Sequence, residues 1–386
     1  MLIACYCKMA LSKTKPKSGC GNRAGLILVS VCFAVFMIEM AGRLIPGLIP
    51  TEIMAIFQDQ VYQPSGEVIL HPKLGYTYAP NLVNHPSSIE DEGVEHTYSV
   101  STVSLGYQGV GFRDDGISGE TFAITIGDSY TSCVGVEMDA CWVEYLETAT
   151  HHDFANLGVI AYSPQQEQQM LAQYGLPLKP KLVLWIFYSN DINDAWRFNQ
   201  FGSGAIEGKF WQNPVKSWLA QNSIGYRTLA FFWYNRYLFY NLATVDRETT
   251  PYDTNLIWLL TYTDLTVPEV TEGFAFTKEA ILAAHKETQA RLKDTPFVVV
   301  IIPFREQVYY TEAMLPQHLD TLPNALANFC QQNNIPVIDL TPAIRARYKA
   351  DPMPLYFGKD IHLNVAGNQL VGELLETELA NYYPGP

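Results

Sequence analysis

Ser129 stands in the run Gly127-Asp128-Ser129-Tyr130-Thr131, directly after the apolar stretch from Phe122 to Ile126. If that stretch is a buried parallel strand, Ser129 lies at its carboxyl end, where open α/β sheets place their sites. A serine hydroxyl is a weak nucleophile until a base takes its proton, so its use calls for a histidine, and the histidine calls for a carboxylate to orient it. The segment Lys359-Asp360-Ile361-His362-Leu363-Asn364 supplies both. In an extended segment, residues two apart project to one side, which lets Asp360 reach the His362 ring and fix its tautomer. Candidate donors to a developing oxyanion are Asn190, just beyond the apolar run Leu182 to Tyr188, and the backbone amides near Gly158 and Ala161, after the run Phe154 to Leu157. These residue types suit nucleophilic attack on a carbonyl through a covalent acyl intermediate. Each feature alone has a plainer reading: Gly-Asp-Ser as a turn and helix cap, Asn190-Asp191 as a strand-end turn, Asp360 and His362 as surface loop residues.

The elements that must position these residues are legible as short apolar runs. Phe122 to Ile126, Phe154 to Leu157, Leu182 to Tyr188, Phe297 to Ile302 and Val337 to Leu340 have the composition of strands buried on both faces. Between several of them lie helical patterns at Ser163 to Tyr174, Lys278 to Lys293 and Leu319 to Gln332. A last helix is expected from Val365 to Tyr382, with Asn364 as its cap and Leu370, Leu374 and Leu375 on one face. Alternation of this kind predicts a parallel sheet covered by helices on both sides.

Residues 46 to 116 are rich in Gly, Pro, Ser and Tyr and carry alternating pieces such as Thr97 to Val103, which predicts a small β-rich extension before the main domain, itself spanning 117 to 386. From about 196 to 276 an insertion interrupts the alternation, crowded with Trp196, Trp211, Trp218, Phe231, Phe232, Trp233, Tyr234 and Trp258. A structureless loop of that length is improbable inside a compact domain, so the insertion should hold helices of its own. Its aromatics read first as the insertion's core, with a lid over the substrate site or a membrane-facing surface as the alternatives.

At the N-terminus, Lys8, Lys13, Lys15, Lys17 and Arg23 precede an apolar stretch, giving a basic tail over 1–23 and a candidate membrane anchor over 24–45. About twenty residues at roughly 1.5 Å each approach the hydrocarbon thickness of a bilayer. Glu39 and Arg43 fall in or beyond the last turn, within reach of the headgroups. The positive flank predicts a cytoplasmic N-terminus and an extracytoplasmic main domain. A cleaved signal peptide is the competing reading, but Glu39-Met40-Ala41 lacks a small-x-small cleavage pattern, and Cys20 precedes the apolar run instead of ending it.

The chain has 386 residues, is 48% hydrophobic and carries a formal charge of −14, enough for an enzyme-sized core and unsuited to nucleic acid. Its seven cysteines show neither a CxxC pair nor zinc spacing. Adjacent His151 and His152 rarely point at one ion and have no carboxylate at ligand spacing, so no metal is expected, and attack by a serine on an ester needs no cofactor. Cys133 and Cys141 could pair in an oxidising compartment; two separate buried thiols is the favoured expectation.

Taken in order, Gly127-Asp128-Ser129, Asn156-Leu157-Gly158, Ser189-Asn190-Asp191 and Asp360-Ile361-His362 resemble the four sequence blocks of the SGNH (GDSL-like) hydrolases. Thr131 excludes the Gly-x-Ser-x-Gly elbow of the α/β-hydrolase fold. The resemblance covers about residues 117 to 384, and the stretch Leu74-Gly75-Tyr76 through Gly111-Phe112-Arg113 is similar to the segment that precedes this domain in membrane-anchored members. It implies a flavodoxin-like three-layer αβα sandwich, Ser129 as nucleophile, Asn190 and the Ser129 amide as oxyanion donors, and His362 as base with Asp360. The family's oxyanion glycine of the second block falls on Ala161 or else shifts to Gly158. Many members carry the acid three residues before the histidine, where this chain has Lys359; Asp360, two residues before, matches other branches, acetyltransferase-like ones included. The implied activity is hydrolysis of carboxylic esters, with a glycan or lipid as the acyl carrier. Acyl transfer to a cell-surface glycan and a non-catalytic surface role are the alternatives.

Overall fold

The computed structural model describes residues 19–57, 66–117, 119–244, 254–310 and 320–383. The basic residues Lys8, Lys13, Lys15 and Lys17 lie outside them. The chain divides into two compact units, one of residues 1–56 and 218–233, the other of 57–217 and 234–386.

The larger unit is built on five parallel strands: β5 (Thr121–Ile126), β6 (Asp153–Asn156), β7 (Leu182–Phe187), β10 (Phe297–Ile301) and β11 (Val337–Asp339). They lie in the order β11-β10-β7-β5-β6, so the chain reverses direction across the sheet between β5 and β7. That is the flavodoxin-like arrangement, with the switch point where ligands bind at carboxyl ends. All five expected strands are present, each within one residue of its expected limits.

Both faces of the sheet are buried, as continuous apolar runs require. Along β7, Val183, Trp185 and Phe187 join one core with Val270, Phe274 and Ile281 of the helix Pro268–Arg291. The alternate residues Leu182, Leu184 and Ile186 join the opposite core with Trp142 and Leu146 of the helix Trp142–Thr150 and Val371 and Leu375 of the helix Val365–Glu378. The result is three layers, αβα. Asn364 caps the last helix, its side chain accepting from Gly367 N at 3.0 Å, as expected. That helix ends at Glu378, short of Tyr382. The helix expected from Ser163 starts at Pro164, with Ser163 in a capping box, and widens into a π turn over Leu171–Gly175. Leu319 lies outside the described residues, and its helix runs Thr321–Gln332.

Ahead of the sheet, β1 (Val68–His71) pairs antiparallel with β2 (Gly75–Tyr78), and β3 (His85–Asp91) with β4 (Val94–Val100). The β3–β4 hairpin closes on Glu92 and Gly93, both in the left-handed region at φ 53° and 81°, which suits the right-handed twist of the strands. The insertion contains a short pair, β8 (Gly202–Ser203) and β9 (Ile206–Glu207), and the helices Pro214–Asn222, Ile224–Tyr234, Arg236–Thr244 and Thr254–Tyr262. Its aromatics divide. Phe57 stacks on Phe210 and meets Trp211 and Tyr234 edge to face, and Trp196 and Phe201 join the same cluster, whereas Trp218, Phe232 and Trp233 are exposed.

One expectation is corrected. Cys133 and Cys141 are not separate thiols but form a disulfide, their Cα atoms 5.5 Å apart. The turn after Ser129 brings Cys133, in the left-handed region at φ 53°, back against the start of the helix Trp142–Thr150. Sequence separation alone does not reveal that reversal.

The helix Pro268–Arg291 crosses the helix Asp191–Phe201 at Gly273, where a Cβ would stand 2.1 Å from the Ile192 carbonyl oxygen. Backbone cannot yield as a side chain can, so Gly273→Ala should destabilise the larger unit by about 1–3 kcal/mol. A lowered urea midpoint with unchanged denaturant slope is the expected result; an unchanged midpoint contradicts the close crossing.

Candidate active site

Ser129 follows β5 in a tight turn and is buried. The turn is held by Asp128, whose Oδ1 accepts from Tyr130 N at 2.9 Å and whose Oδ2 accepts from Asn190 Nδ2 at 3.0 Å. The Ser129 hydroxyl lies 3.5 Å from Asp128 Oδ2. Burial raises the Asp128 pKa, and the hydrogen bonds from Tyr130 and Asn190 offset only part of that rise. Asp128 therefore ties the serine turn to the asparagine turn after β7. Asp191 closes the latter on itself by accepting from Tyr188 N at 3.2 Å.

Asp360 and His362 meet as their spacing predicts. Asp360 Oδ1 stands 2.7 Å from His362 Nδ1 and also accepts from His362 N at 2.9 Å. A carboxylate there assigns the ring proton to Nδ1 and leaves the Nε2 lone pair available. Nε2 is buried and has no hydrogen-bond partner among the described residues. Although burial opposes it, the hydrogen bond and charge of His362 lower the Asp360 pKa. The histidine loop reaches the serine turn through their neighbours: Tyr130, next to Ser129, donates its hydroxyl to the carbonyl of Ile361, next to His362, at 2.5 Å. The Tyr130 ring stacks on Tyr188 at 3.8 Å and lies 5.5 Å from the His362 ring.

The candidate oxyanion donors differ in state. The N–H of Gly158 is engaged by Asn156 Oδ1 at 3.0 Å, and a Cβ on Gly158 would strike Thr131 and Ser132, so this glycine serves close packing behind the serine turn. Ala161 adopts the left-handed region at φ 53°, a conformation that glycine enters without cost. The N–H groups of Ala161 and Ser129 are unengaged among the described residues. Asn190 Nδ2 donates to Asp128 Oδ2 and to Asp194 Oδ2, at 3.0 and 2.9 Å, so both of its protons are held by carboxylates. Beneath this turn Glu167 is fully buried, and neither carboxylate oxygen has a hydrogen-bond partner among the described residues. Burial, followed by the charges of Asp128 and Asp194, raises its pKa well above the usual carboxylate range.

Sequence reasoning missed the residues that hold these loops, and they come from the segment ahead of the sheet. Asp91, at the end of β3, accepts from the backbone N–H groups of Gly358, Lys359 and Asp360 at 2.8, 2.5 and 3.0 Å. Arg113 is buried and donates to the carbonyls of Ser132, Cys133 and Val136, just after the serine turn. Tyr76 donates to the Ile160 carbonyl at 2.7 Å, next to Ala161, and Tyr162 donates to the Tyr76 carbonyl in return. Asp114 accepts from Asn156 N at 2.7 Å. The likeness of the stretch from Leu74-Gly75-Tyr76 through Gly111-Phe112-Arg113 was the signal available, and it does not specify partners. Away from this site, Asp115, Glu144 and Glu147 bring carboxylate oxygens within 4.8 Å of one another, a grouping that no ligand spacing in the sequence announced.

A flavodoxin-like parallel sheet carrying a serine turn, an asparagine turn and an Asp-x-His loop at its carboxyl edge is the SGNH hydrolase fold. The model of the GDSL-like Lipase/Acylhydrolase family matches residues 125–370, and the chain belongs to that family. No curated protein matches it. Similar solved structures include a member of the lipolytic protein G-D-S-L family from Veillonella parvula, 12% identical with a TM-score of 0.39 over 67% of this chain and 98% of that one. The acetyl xylan esterase AlAXEase is 14% identical with a TM-score of 0.39 over 67% and 98%. The lipase/acylhydrolase from Enterococcus faecalis is 12% identical with a TM-score of 0.37 over 69% and 99%.

The three backbone donors on Asp91 prevail over the opposing effect of burial and lower its pKa. Stability from this contact is therefore full above about pH 4, the ordinary aspartate value, and is lost as pH falls through the depressed folded pKa. Asp91→Ala should cost about 1–3 kcal/mol and flatten the acid limb of the stability profile. Chemical denaturation between neutral pH and pH 3 measures both; a variant with the same acid limb as the native chain contradicts the assignment.

Proposed function

We propose that this protein is a membrane-anchored serine esterase that cleaves carboxylic esters through an acyl-enzyme at Ser129. Family membership supports ester hydrolysis as the reaction class. The observation that carries the finer reading is the Asp360–His362 pair, with a buried Nε2 that no described residue engages, on a loop fastened by Tyr130 to the turn of Ser129. In this mechanism Ser129 Oγ attacks the ester carbonyl while His362 Nε2 takes its proton, and Asp360 stabilises the imidazolium. The N–H groups of Ser129 and Ala161 receive the oxyanion. Asn190 joins them by turning one Nδ2 proton from a carboxylate to the substrate oxygen. His362 returns its proton to the leaving alkoxide, and a water activated by Nε2 then releases the acid. Ester hydrolysis by this route calls on no metal or organic cofactor.

The anchor reading rests on the apolar helix segment Gly25–Leu44, which is long and apolar enough to be a membrane anchor or a signal sequence. An uncleaved single-pass anchor with a cytoplasmic N-terminus would put Ser129 outside the cytoplasm. The Cys133–Cys141 disulfide, beside the serine turn, supports an oxidising compartment.

Hydrolysis of a short acyl ester by the purified full-length chain is the test. Ser129→Ala should abolish turnover, and Asn190→Ala should lower kcat by about 10² to 10³. Full activity in Ser129→Ala rejects the mechanism. Unchanged kcat in Asn190→Ala removes Asn190 from the oxyanion site.

A further inference from the structure

The smaller unit joins the apolar N-terminal helix, Gly19–Leu44, to residues 218–233 of the insertion. The helix Ile224–Tyr234 docks on it at two glycines. A Cβ on Gly225 would stand 2.6 Å from Val35 Cγ1, and one on Gly42 would stand 2.9 Å from Ile224 Cδ1. The contact is also polar. Glu39 Oε2 accepts from Gly225 N and from the Ser223 hydroxyl, each at 3.0 Å. Its other oxygen binds Arg43 at 2.6 Å, and Arg43 donates onward to the Asn222 carbonyl at 2.7 Å. Glu39 would be costly in an apolar span, yet here it meets a cation, a hydroxyl and a backbone amide of a helix start.

This docking fixes depth. If Gly25–Leu44 crosses a bilayer, Gly42 lies about 3 Å and Val35 about 13 Å inside its outer end, from the helical rise of 1.5 Å per residue. The first turn of Ile224–Tyr234 is held at those levels. The helix is too short to span and too deep to stand wholly in water. Its large apolar side chains are well exposed, Leu229 at 48%, Phe232 at 53% and Trp233 at 62%, as is Trp218 of the preceding helix Pro214–Asn222, at 62%. Tryptophan favours the bilayer interface, where an apolar ring and a polar N–H are both accommodated.

We propose that Trp218 and the helix Ile224–Tyr234 form a second, monotopic membrane element that lies in the bilayer beside the anchor and presents Trp218, Leu229, Phe232 and Trp233 to phospholipid. The proposal rests on the anchor reading of residues 24–45. A helix of this kind typically sits about 5–10 Å into the boundary between headgroups and acyl chains, which agrees with the depth set by Gly42 and Val35. The close fit at Gly42 and Gly225 follows the small-residue packing by which helices associate in lipid.

The experiment uses the full-length chain in nanodiscs of phosphatidylcholine and phosphatidylglycerol whose acyl chains are either plain or brominated. Bromine quenches nearby tryptophan, so brominated discs should lower the emission, and Trp218→Leu with Trp233→Leu should remove most of that decrease. Adding a tryptophan by Phe232→Trp should enlarge the decrease, which keeps the test valid if the double variant folds poorly. Equal quenching in all three chains, or none, overturns the proposal. Carbonate extraction of the expressing membranes separates the two readings: a chain that stays in the pellet but shows no bromine effect refutes the monotopic helix alone, and a chain released to the supernatant refutes the anchor.

Discussion

The loop that carries Asp360 and His362 has no strand of its own, and the three N–H groups that converge on the Asp91 carboxylate are what give it one position. The chain leaves β11, forms the helix Thr341–Ala350 and then runs irregularly to Asn364 with a single antiparallel bridge between Tyr356 and Leu363. An irregular segment of this kind has backbone donors and acceptors that nothing in the segment satisfies. Asp91 takes three donors, Arg305 donates to the Gly358 carbonyl, Tyr309 accepts from Leu355 and Tyr356, and Tyr130 donates to Ile361. Remove the carboxylate and a turn of chain immediately before the histidine loses its partners at once.

The same logic extends across the carboxyl edge of the sheet. The serine turn, the loop of Gly158 and Ala161, and the histidine loop follow different elements, and each receives a polar contact from residues 76 to 114: Arg113, Tyr76 or Asp114, and Asp91. The segment ahead of the sheet thus acts as a frame for the site. A charge-assisted bond from a buried group suits this work, because it is directional and its loss leaves an orphan in a dry place.

How far the sequence revealed this depends on the range of the interaction. Strands β5, β6, β7, β10 and β11 were readable because a run of apolar residues is a local pattern with one solution in an α/β sheet. Asp360 and His362 were readable because two residues apart in extended chain is also local. Asp91 and Arg113 were not, since an isolated charge near a hairpin gives no hint of a carbonyl or amide brought in from far along the chain. The difference in state between Gly158 and Ala161 comes from one backbone angle and one side-chain acceptor, Asn156 Oδ1, neither of which residue type dictates. Asn190 was expected as a donor, and the carboxylates of Asp128 and Asp194 that hold both its protons come from two separate elements. The pairing of Cys133 with Cys141 likewise needed the left-handed turn that folds the chain back.

The proposed cleavage requires that His362 activate Ser129 in the folded chain. A fluorophosphonate probe reacts only with an activated serine, without reference to the natural ester, and peptide mapping locates the adduct. The native chain should carry one adduct, on Ser129, and His362→Ala should carry none. Absence of an adduct on native Ser129, or equal labelling of the His362→Ala chain, would contradict it.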